Sequence, residues 1–462
     1  MKIQDTLRSA EQELEIIDKI RIYLCGVTVY DDSHIGHART IIVFDVLRRY
    51  LENKGASVQF IQNFTDVDDK IINKAKTENS TANQISARYI ENYFRDFDSL
   101  NVKRATAYPK ATEHITEIQE FIKKLIASNV AYVSQNGVYF SVAKFPEYGK
   151  LSKKNIDELQ SGVRIEVDEN KQDPLDFALW KFSNEEPTWD SPWGKGRPGW
   201  HIECSAMSIK YLGESFEIHG GGRDLIFPHH ENEIAQSESF TTKQFAKIWM
   251  HVGMVTINGE KMSKSLGNIK TINHVLQNWG ANIIRLFCLS GHYSKPIDYT
   301  EELLRENLVK WRQIEMCYYE LIHSKLGNVE ETIDVERWSN DFDSALESDL
   351  NTHLALTAFF TLVKETNRLA AEGKLGTDTN KIKAEMERMM DILGLKIPEI
   401  TLKEKERIDE MIYSREKLRH EKKFQEADRI RDKLNDMNIE LIDHKGRTIW
   451  VRKERINAES NF

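Results

Sequence analysis

An α/β fold with a split parallel sheet, followed by a helical bundle and a small C-terminal module, is what this sequence predicts. Three patterns carry that reading. A run rich in β-branched residues, Arg21 to Val29, is followed by a helical pattern and a second strand-like run, Val58 to Asn63. Strand, helix, strand, helix is the signature of a parallel sheet covered by helices. The pattern breaks off near residue 95 and resumes at Phe216 to His219, which places an insertion inside the sheet. From about Glu301 to Leu395, amphipathic stretches such as ENLVKWRQIEMCYYELIH take over, as expected of packed helices.

Taken in order, the first half has Ile42, Val46 and Tyr50 one helical turn apart, with Gly55 closing that helix. Thr65 or Asp66 is placed as the N-cap of the next one, and the region is nucleotide-fold-like. Residues 96–190 hold a helix near Ala111 to Ser128, short strand-like pieces (AYVSQNGVYFSV) and loops containing Pro, Gly and Trp. The resumed half, 191–255, contains a triple glycine, Gly220 to Gly222, open to reading as a tight turn, then a helix from about His229 to Phe240. Residues 256–300 contain the loop KMSKS, 301–398 form the bundle, and 399–462 form the tail. In the tail a charged helical segment, Leu402 to Asn435, leads into a hairpin-like stretch, IELIDHKGRTIWVRK.

Length and composition narrow the class. At 462 residues the chain is about three times the ~150 residues of one domain. It has no apolar run near the ~18 residues that cross a bilayer, so no membrane partner is expected. Its start, MKIQDTLRSAEQELEII, lacks the basic-then-apolar pattern of a secretory signal, and a cytoplasmic location is expected. Four cysteines, Cys25, Cys204, Cys288 and Cys317, are too few for a disulfide scaffold. Cys288 and Cys317 lie in apolar helical patterns and read as core. The net charge is −9, yet residues 401–462 carry 16 Lys and Arg against 14 Asp and Glu, a mild asymmetry in the direction of a polyanion partner for the tail.

Two motifs point to phosphate chemistry. His34-Ile35-Gly36-His37 stands between the first strand and the first helix, where backbone N–H groups and the helix dipole favour an anion and two imidazoles can donate to a phosphate. Lys261-Met262-Ser263-Lys264-Ser265 places two ammonium groups three residues apart in a loop able to close on polyphosphate. Either alone reads equally as ordinary loop or surface residues. Together, across some 220 residues of α/β sequence, the pair resembles the HIGH and KMSKS motifs of class I aminoacyl-tRNA synthetases. CGVTVYDDSHIGHART, GWHIECSAMS and FPHHENEIAQSE are similar to the cysteinyl-tRNA synthetase family in particular. The resemblance runs from near Leu7 to Lys453. It implies a split Rossmann-type catalytic domain, a connective insertion, a stem-contact region holding KMSKS, a helical bundle and an anticodon-binding tail, in a monomer.

For a metal, the residues alone offer His229 and Glu233 at i and i+4 on one helix face, with His230 as a rival ligand. No CxxC spacing announces a site, and Ile234 stands where an HExxH peptidase would need histidine. The resemblance implies one Zn²⁺ held by Cys25, Cys204, His229 and Glu233. Zinc favours a thiolate over a serine hydroxyl, so it would read the substrate side chain and make editing unnecessary.

By the same resemblance His34, Gly36, His37, Lys261, Ser263 and Lys264 bind ATP with Mg²⁺, and His34, His37, Lys261 and Lys264 are catalytic. Thr65 and Trp200 line the cysteine pocket, Gly26 and Thr28 lie near the substrate, Asp224 holds its α-amino group, and His201, close to Cys204, is a group that could support a metal ligand. Arg419, Asp428, Asp443 and Trp450 match anticodon contacts of tRNA(Cys). SDLNTHLAL departs from the family's helical-domain signature, His353 standing where proline is usual. The implied reaction is activation of L-cysteine by ATP and transfer to the 3′-adenosine of tRNA(Cys). A cysteine:amino-sugar ligase sharing the core and a non-catalytic tRNA-binding paralogue are the alternatives.

Overall fold

The computed structural model describes residues 1–155, 170–262, 266–323, 333–376, 378–444, 447–453 and 456–457. At its centre lies a four-stranded, fully parallel sheet in the order Ala246–Val252, Phe216–Gly222, Lys19–Thr28, Ser57–Thr65. The central strand Lys19–Thr28 reads as a near-continuous apolar run because both its faces are covered: Ile20, Ile22, Tyr23 and Leu24 are inaccessible to solvent. Its chain leads into the helix Ile35–Asn53, whose apolar stripe, Ile35, Ala38, Ile42, Val46 and Tyr50, is wholly buried. Strand order reverses between Lys19–Thr28 and Phe216–Gly222. That switch point opens a crevice at the carboxyl ends of the strands, where open α/β sheets bind ligands.

Three local expectations change. The second strand runs on to Thr65, and the following helix, Asp69–Thr77, is capped by Asp68, whose carboxylate accepts the Lys70 N–H at 2.8 Å. Thr65 is still paired in the sheet, its carbonyl accepting Val29 N–H at 3.2 Å, so it is not free to cap. The triple glycine is not a turn but the end of the strand Phe216–Gly222. A Cβ at Gly220 would lie 2.0 to 2.9 Å from three ring atoms of Phe44, so glycine lets the helix Ile35–Asn53 settle on the sheet. Finally, His229 and His230 end a wide turn, Ile226–His230, and the regular helix begins at Glu231 and ends at Thr241.

The insertion carries the helix Ile115–Ala127 and a four-stranded antiparallel sheet, Ala131–Val133, Gly137–Phe140, Phe177–Phe182 and Gly196–Pro198, with its own core around Phe140 and Trp180. Beyond the catalytic domain the helices Glu301–His323, Val335–Glu347, Thr352–Ala371 and Thr379–Leu393 form the bundle. One continuous apolar core runs from the sheet into that bundle, and Cys288 and Cys317 are buried in it. At His353 the helix still starts cleanly: Asn351 caps it, and His353 Nδ1 lies 2.7 Å from the Ser290 carbonyl. The tail's charged segment is two helices, Leu402–His420 and Phe424–Asp436, followed by the hairpin Ile439–His444 and Arg447–Arg452. Among the described residues no helix is long and apolar enough to cross a membrane.

Candidate active site

The switch-point crevice is a cleft of about 460 Å³. His34, Gly36, His37, Gly26, Thr28, Cys25, Trp200, Asp224 and Lys261 all line it, as do Asp32, Thr40 and Met262 from the same motifs, given no role of their own, and Lys70, which carried no local signal in the sequence. Thr65 does not. It lies buried at the end of its strand, in register with Thr28. Ser263 and Lys264 lie outside the described residues.

His34 is the N-cap of the helix Ile35–Asn53. Its Nδ1 accepts the N–H groups of Gly36 and His37 at 3.1 and 3.4 Å, and His37 Nδ1 accepts the His34 N–H at 3.3 Å. The Ile35 N–H goes to the Lys270 carbonyl at 3.0 Å. The first-turn amides expected to meet an anion are therefore already occupied, because two imidazoles cap them reciprocally. What this arrangement offers a phosphate is the imidazole edge: a ring that accepts through Nδ1 carries its proton on Nε2. The two rings stack at 3.7 Å between centroids. Burial, and then the neighbouring His34, push His37 well below the ordinary histidine range, so it is a neutral donor. A backbone bridge between His34 and Thr271 laces this segment to the chain that follows KMSKS.

Behind one wall of the cleft the four predicted donors converge. Cys25 Sγ, Cys204 Sγ, one ring nitrogen of His229 and a Glu233 oxygen all lie within 4.8 Å of one another, and all four residues are buried. Glu233 Oε1 is 3.0 Å from His229 Nε2 and accepts Cys25 Sγ–H at 3.2 Å. Tetrahedral coordination at Zn–S ~2.3 Å and Zn–N ~2.1 Å spaces donors about 3.4 to 3.8 Å apart, so the cluster fits a zinc ion once the two Glu233 contacts widen by a few tenths of an ångström. The charges suit it too. Burial opposes ionisation of Glu233, but His219 and His229 hold its carboxyl well below the usual range. Against burial, Glu233 and Cys204 hold His229 up at about 10. The Cys25 thiol beside it lowers Cys204 to about 6, whereas burial pushes Cys25 well up.

Supporting groups surround these donors. His201 Nδ1 is 2.9 Å from His229 Nδ1, and the half-exposed Trp200 ring lies 4.3 Å from the His229 ring. Asn63 Oδ1 accepts the Gly26 N–H at 2.9 Å and lies 3.6 Å from Cys204 Sγ. Gly26 itself presses on the Asn63 backbone, where a Cβ would fall 1.6 Å from the carbonyl oxygen. Asn63, His219 and His251 had no motif to announce them, and His230 was legible only as a rival ligand.

In the tail, Arg419 pairs with Asp443 at 2.8 Å on the surface, and Arg415 forks onto the same carboxylate at 3.1 and 2.8 Å. Asp428 is exposed. Trp450, expected to stack on a base, is only 3 % exposed. Its ring packs against Tyr319 and His323 of the bundle, and its Nε1–H goes to Asp409 at 3.0 Å. The apolar alternation of the hairpin turns it inward. The exposed tail rings among the described residues are Tyr413 and Phe424.

A cleft at the switch point of a parallel sheet, capped by HIGH and laced to the chain after KMSKS, defines a class I tRNA synthetase. The family described as tRNA synthetases class I (C) catalytic domain matches residues 12–309, and the DALR domain matches residues 341–397, which lie in the bundle. The cysteine–tRNA ligase of Thermodesulfovibrio yellowstonii is 47 % identical over 498 residues, covering 99 % of this chain and 100 % of that one. That of Aquifex aeolicus is 45 % identical, covering 98 % and 99 %. Among solved structures, Mycobacterium tuberculosis methionyl-tRNA synthetase in complex with methionyl-adenylate shares the fold at a TM-score of 0.60 and 14 % identity, covering 82 % of this chain and 90 % of that one. The chain belongs to the cysteine–tRNA ligase family.

Proposed function

We propose that this chain, as a cysteine–tRNA ligase, activates L-cysteine with ATP in the switch-point cleft and passes the cysteinyl group to the 3′-terminal adenosine of tRNA(Cys). The observation that carries the residue assignments is that Cys25, one of four converging donors, opens into the same cleft as His34 and His37. Cys25, Cys204, His229 and Glu233 would hold Zn²⁺, which supplies a soft Lewis acid that favours a thiolate over a hydroxyl. Trp200, Gly26 and Thr28 wall the space in front of Cys25, and Asp224 offers a carboxylate to the substrate ammonium.

The substrate carboxylate then attacks the α-phosphate in line, a reaction in which positioning and charge neutralisation dominate. His34 and His37 donate Nε2–H to the oxygens on which charge grows. Lys261, with Ser263, Lys264 and Mg²⁺, holds the departing pyrophosphate. Arg419, Asp428 and Asp443 present charged groups to the anticodon, and the protein works as a monomer. The test is charging of bulk tRNA with labelled cysteine, with serine as competitor and a zinc chelator in parallel. Cysteine-only, chelator-sensitive charging is expected. Charging that tolerates serine or ignores the chelator would refute the metal's role.

A further inference from the structure

Glu233 is shared by two donor sets. Besides Cys25, Cys204 and His229, the group Cys25, His219, His230 and Glu233 also brings four donor atoms within 4.8 Å of one another, all buried. The sets share Cys25 and Glu233 and differ in their other two members. In the second set, His219 Nε2 is 2.9 Å from Glu233 Oε2, and His230 Nε2 is 3.9 Å from Glu233 Oε1. His230 is fully buried, and its Nε2 has no hydrogen-bond partner among the described residues. A buried ring nitrogen facing a carboxylate across a gap of that size calls for a cation or a proton between them.

The surroundings prepare that nitrogen as a ligand. His230 Nδ1 is 2.7 Å from His251 Nε2, and His251 Nδ1 is 2.8 Å from Thr6 Oγ1. When this chain donates outward from His230 to Thr6, the proton sits on His230 Nδ1 and Nε2 presents a bare lone pair. A hydrogen bond on the far nitrogen is the usual means of setting a ligating tautomer. His219 is held in place by stacking on Trp249 at 4.3 Å. For ligand bonds near 2.1 Å, tetrahedral edges are about 3.4 Å. The two contacts, made to different oxygens of Glu233 at 2.9 and 3.9 Å, bracket that edge.

We propose that the protein has a second, inner position for the same ion, formed by Cys25, His219, His230 and Glu233, to which a borderline divalent cation moves when the outer set is broken. The two positions share Cys25 and Glu233, so an ion in one takes two of the four donors of the other. Cys25 lines the cleft and belongs to both sets, but His229 packs on Trp200, which also lines the cleft, whereas His219 packs on the fully buried Trp249, so an ion held by the inner set is retained on the side away from the substrate. The inference rests on Cys25 and Glu233 being metal ligands at all.

The experiment compares the intact chain with Cys204→Ser, His230→Asn and the double variant, each stripped with chelator, refilled with Co²⁺, dialysed and analysed for metal content and for the thiolate-to-cobalt absorption band. Cys204→Ser is expected to retain about one ion per chain, with the band reduced to the strength of a single thiolate. His230→Asn alone keeps its ion, while the double variant binds at least about tenfold more weakly than Cys204→Ser. Equal affinity of Cys204→Ser and the double variant would overturn the inner position and leave the outer set standing. No metal on the unsubstituted chain would overturn both. Should Cys204→Ser fail to fold by circular dichroism, His229→Asn with and without His230→Asn poses the same contrast, since His229 also belongs to the outer set alone.

Discussion

His34 has two tasks in the proposed function: its Nδ1 caps the helix Ile35–Asn53, and the same ring, which lines the cleft, offers Nε2–H to a phosphate. The tasks separate by substitution. Asparagine is a strong N-cap, so His34→Asn is expected to leave thermal stability near normal, whereas His34→Ala costs about 1 kcal/mol. Both lose the phosphate donor and should slow cysteine-dependent ATP–pyrophosphate exchange by about 10² to 10³. Normal exchange in His34→Asn would assign the ring to capping alone. The metal ligands make a second prediction through their protons. At neutral pH His229, held up at about 10, and Cys25, pushed well up by burial, are protonated. Cys204, at about 6, and Glu233 are not. Zinc uptake near pH 7.5 therefore releases about two protons. Affinity rises with pH across that range and falls more steeply below about 6, where Cys204 also protonates. Without metal, His229 contributes stability that is complete below its unfolded value of 6.5 and lost as pH rises toward about 10. Cys204 contributes stability that is complete above 9.0 and lost as pH falls through about 6. Between 6.5 and 9.0 the two slopes oppose each other, so unfolding of the stripped protein should change little with pH there. A strong slope in that window, or proton release near zero in a weakly buffered zinc titration, would contradict the assigned protonation. Of these ligands only the His229–Glu233 spacing was legible locally. Cys25 and Cys204 meet because the sheet and the helix Trp200–Leu212 bring them together, which nothing in their separation announces.

The helix Ile35–Asn53 also ties the cleft to the bundle. Midway along it, the buried Asp45 accepts Arg49 Nε at 2.9 Å and Arg285 Nη2 at 2.6 Å on one oxygen, and the Lys103 N–H at 2.9 Å on the other. Arg285, fully buried, also donates to the Leu100 and Leu393 carbonyls at 3.0 and 2.8 Å. Arg49 reaches Asp391 and the Asn101 carbonyl. One carboxylate thus holds together the end of the helix Ala82–Ser99, the helix Ala281–Leu289 and the last bundle helix. Asp45→Asn leaves the buried Arg285 guanidinium without its counter-charge and Arg49 with the surface Asp391 alone, and is expected to cost about 3 to 5 kcal/mol, read as a lowered denaturant midpoint. An unchanged midpoint would show the network to be dispensable. None of this could be anticipated from periodicity, which marks apolar stripes and is silent on a lone acid within one. The same blindness explains the misplaced cap. Asn63 and Thr65 are polar residues that read as strand end and cap, yet they continue the strand because their partners across the sheet are present only in the fold.

At the scale of the whole molecule, the tail's two helices and hairpin pack on the bundle beside Tyr319, and the proposed charging reaction has the tail hold RNA while the cleft does chemistry. The order of the modules was legible because each has its own period and composition. The facing of single aromatics was not, since a tryptophan in an alternating hairpin fits either face until the neighbouring domain is in place. Trp450 closes the seam between tail and bundle beside Tyr319 and His323. Trp450→Ala is therefore expected to cost about 3 to 5 kcal/mol as a buried truncation, lowering the unfolding temperature. Phe424 and Tyr413, 58 % and 71 % exposed, lie on the two tail helices and lend the core almost nothing. Stacking on an unpaired base is worth about 1 to 3 kcal/mol per ring. Phe424→Ala should then leave unfolding and ATP–pyrophosphate exchange unchanged while raising the KM for tRNA in charging roughly five- to a hundredfold. The opposite pattern, intact stability with lost tRNA affinity in Trp450→Ala, would require the tail to leave the bundle when RNA binds and would return Trp450 to the anticodon.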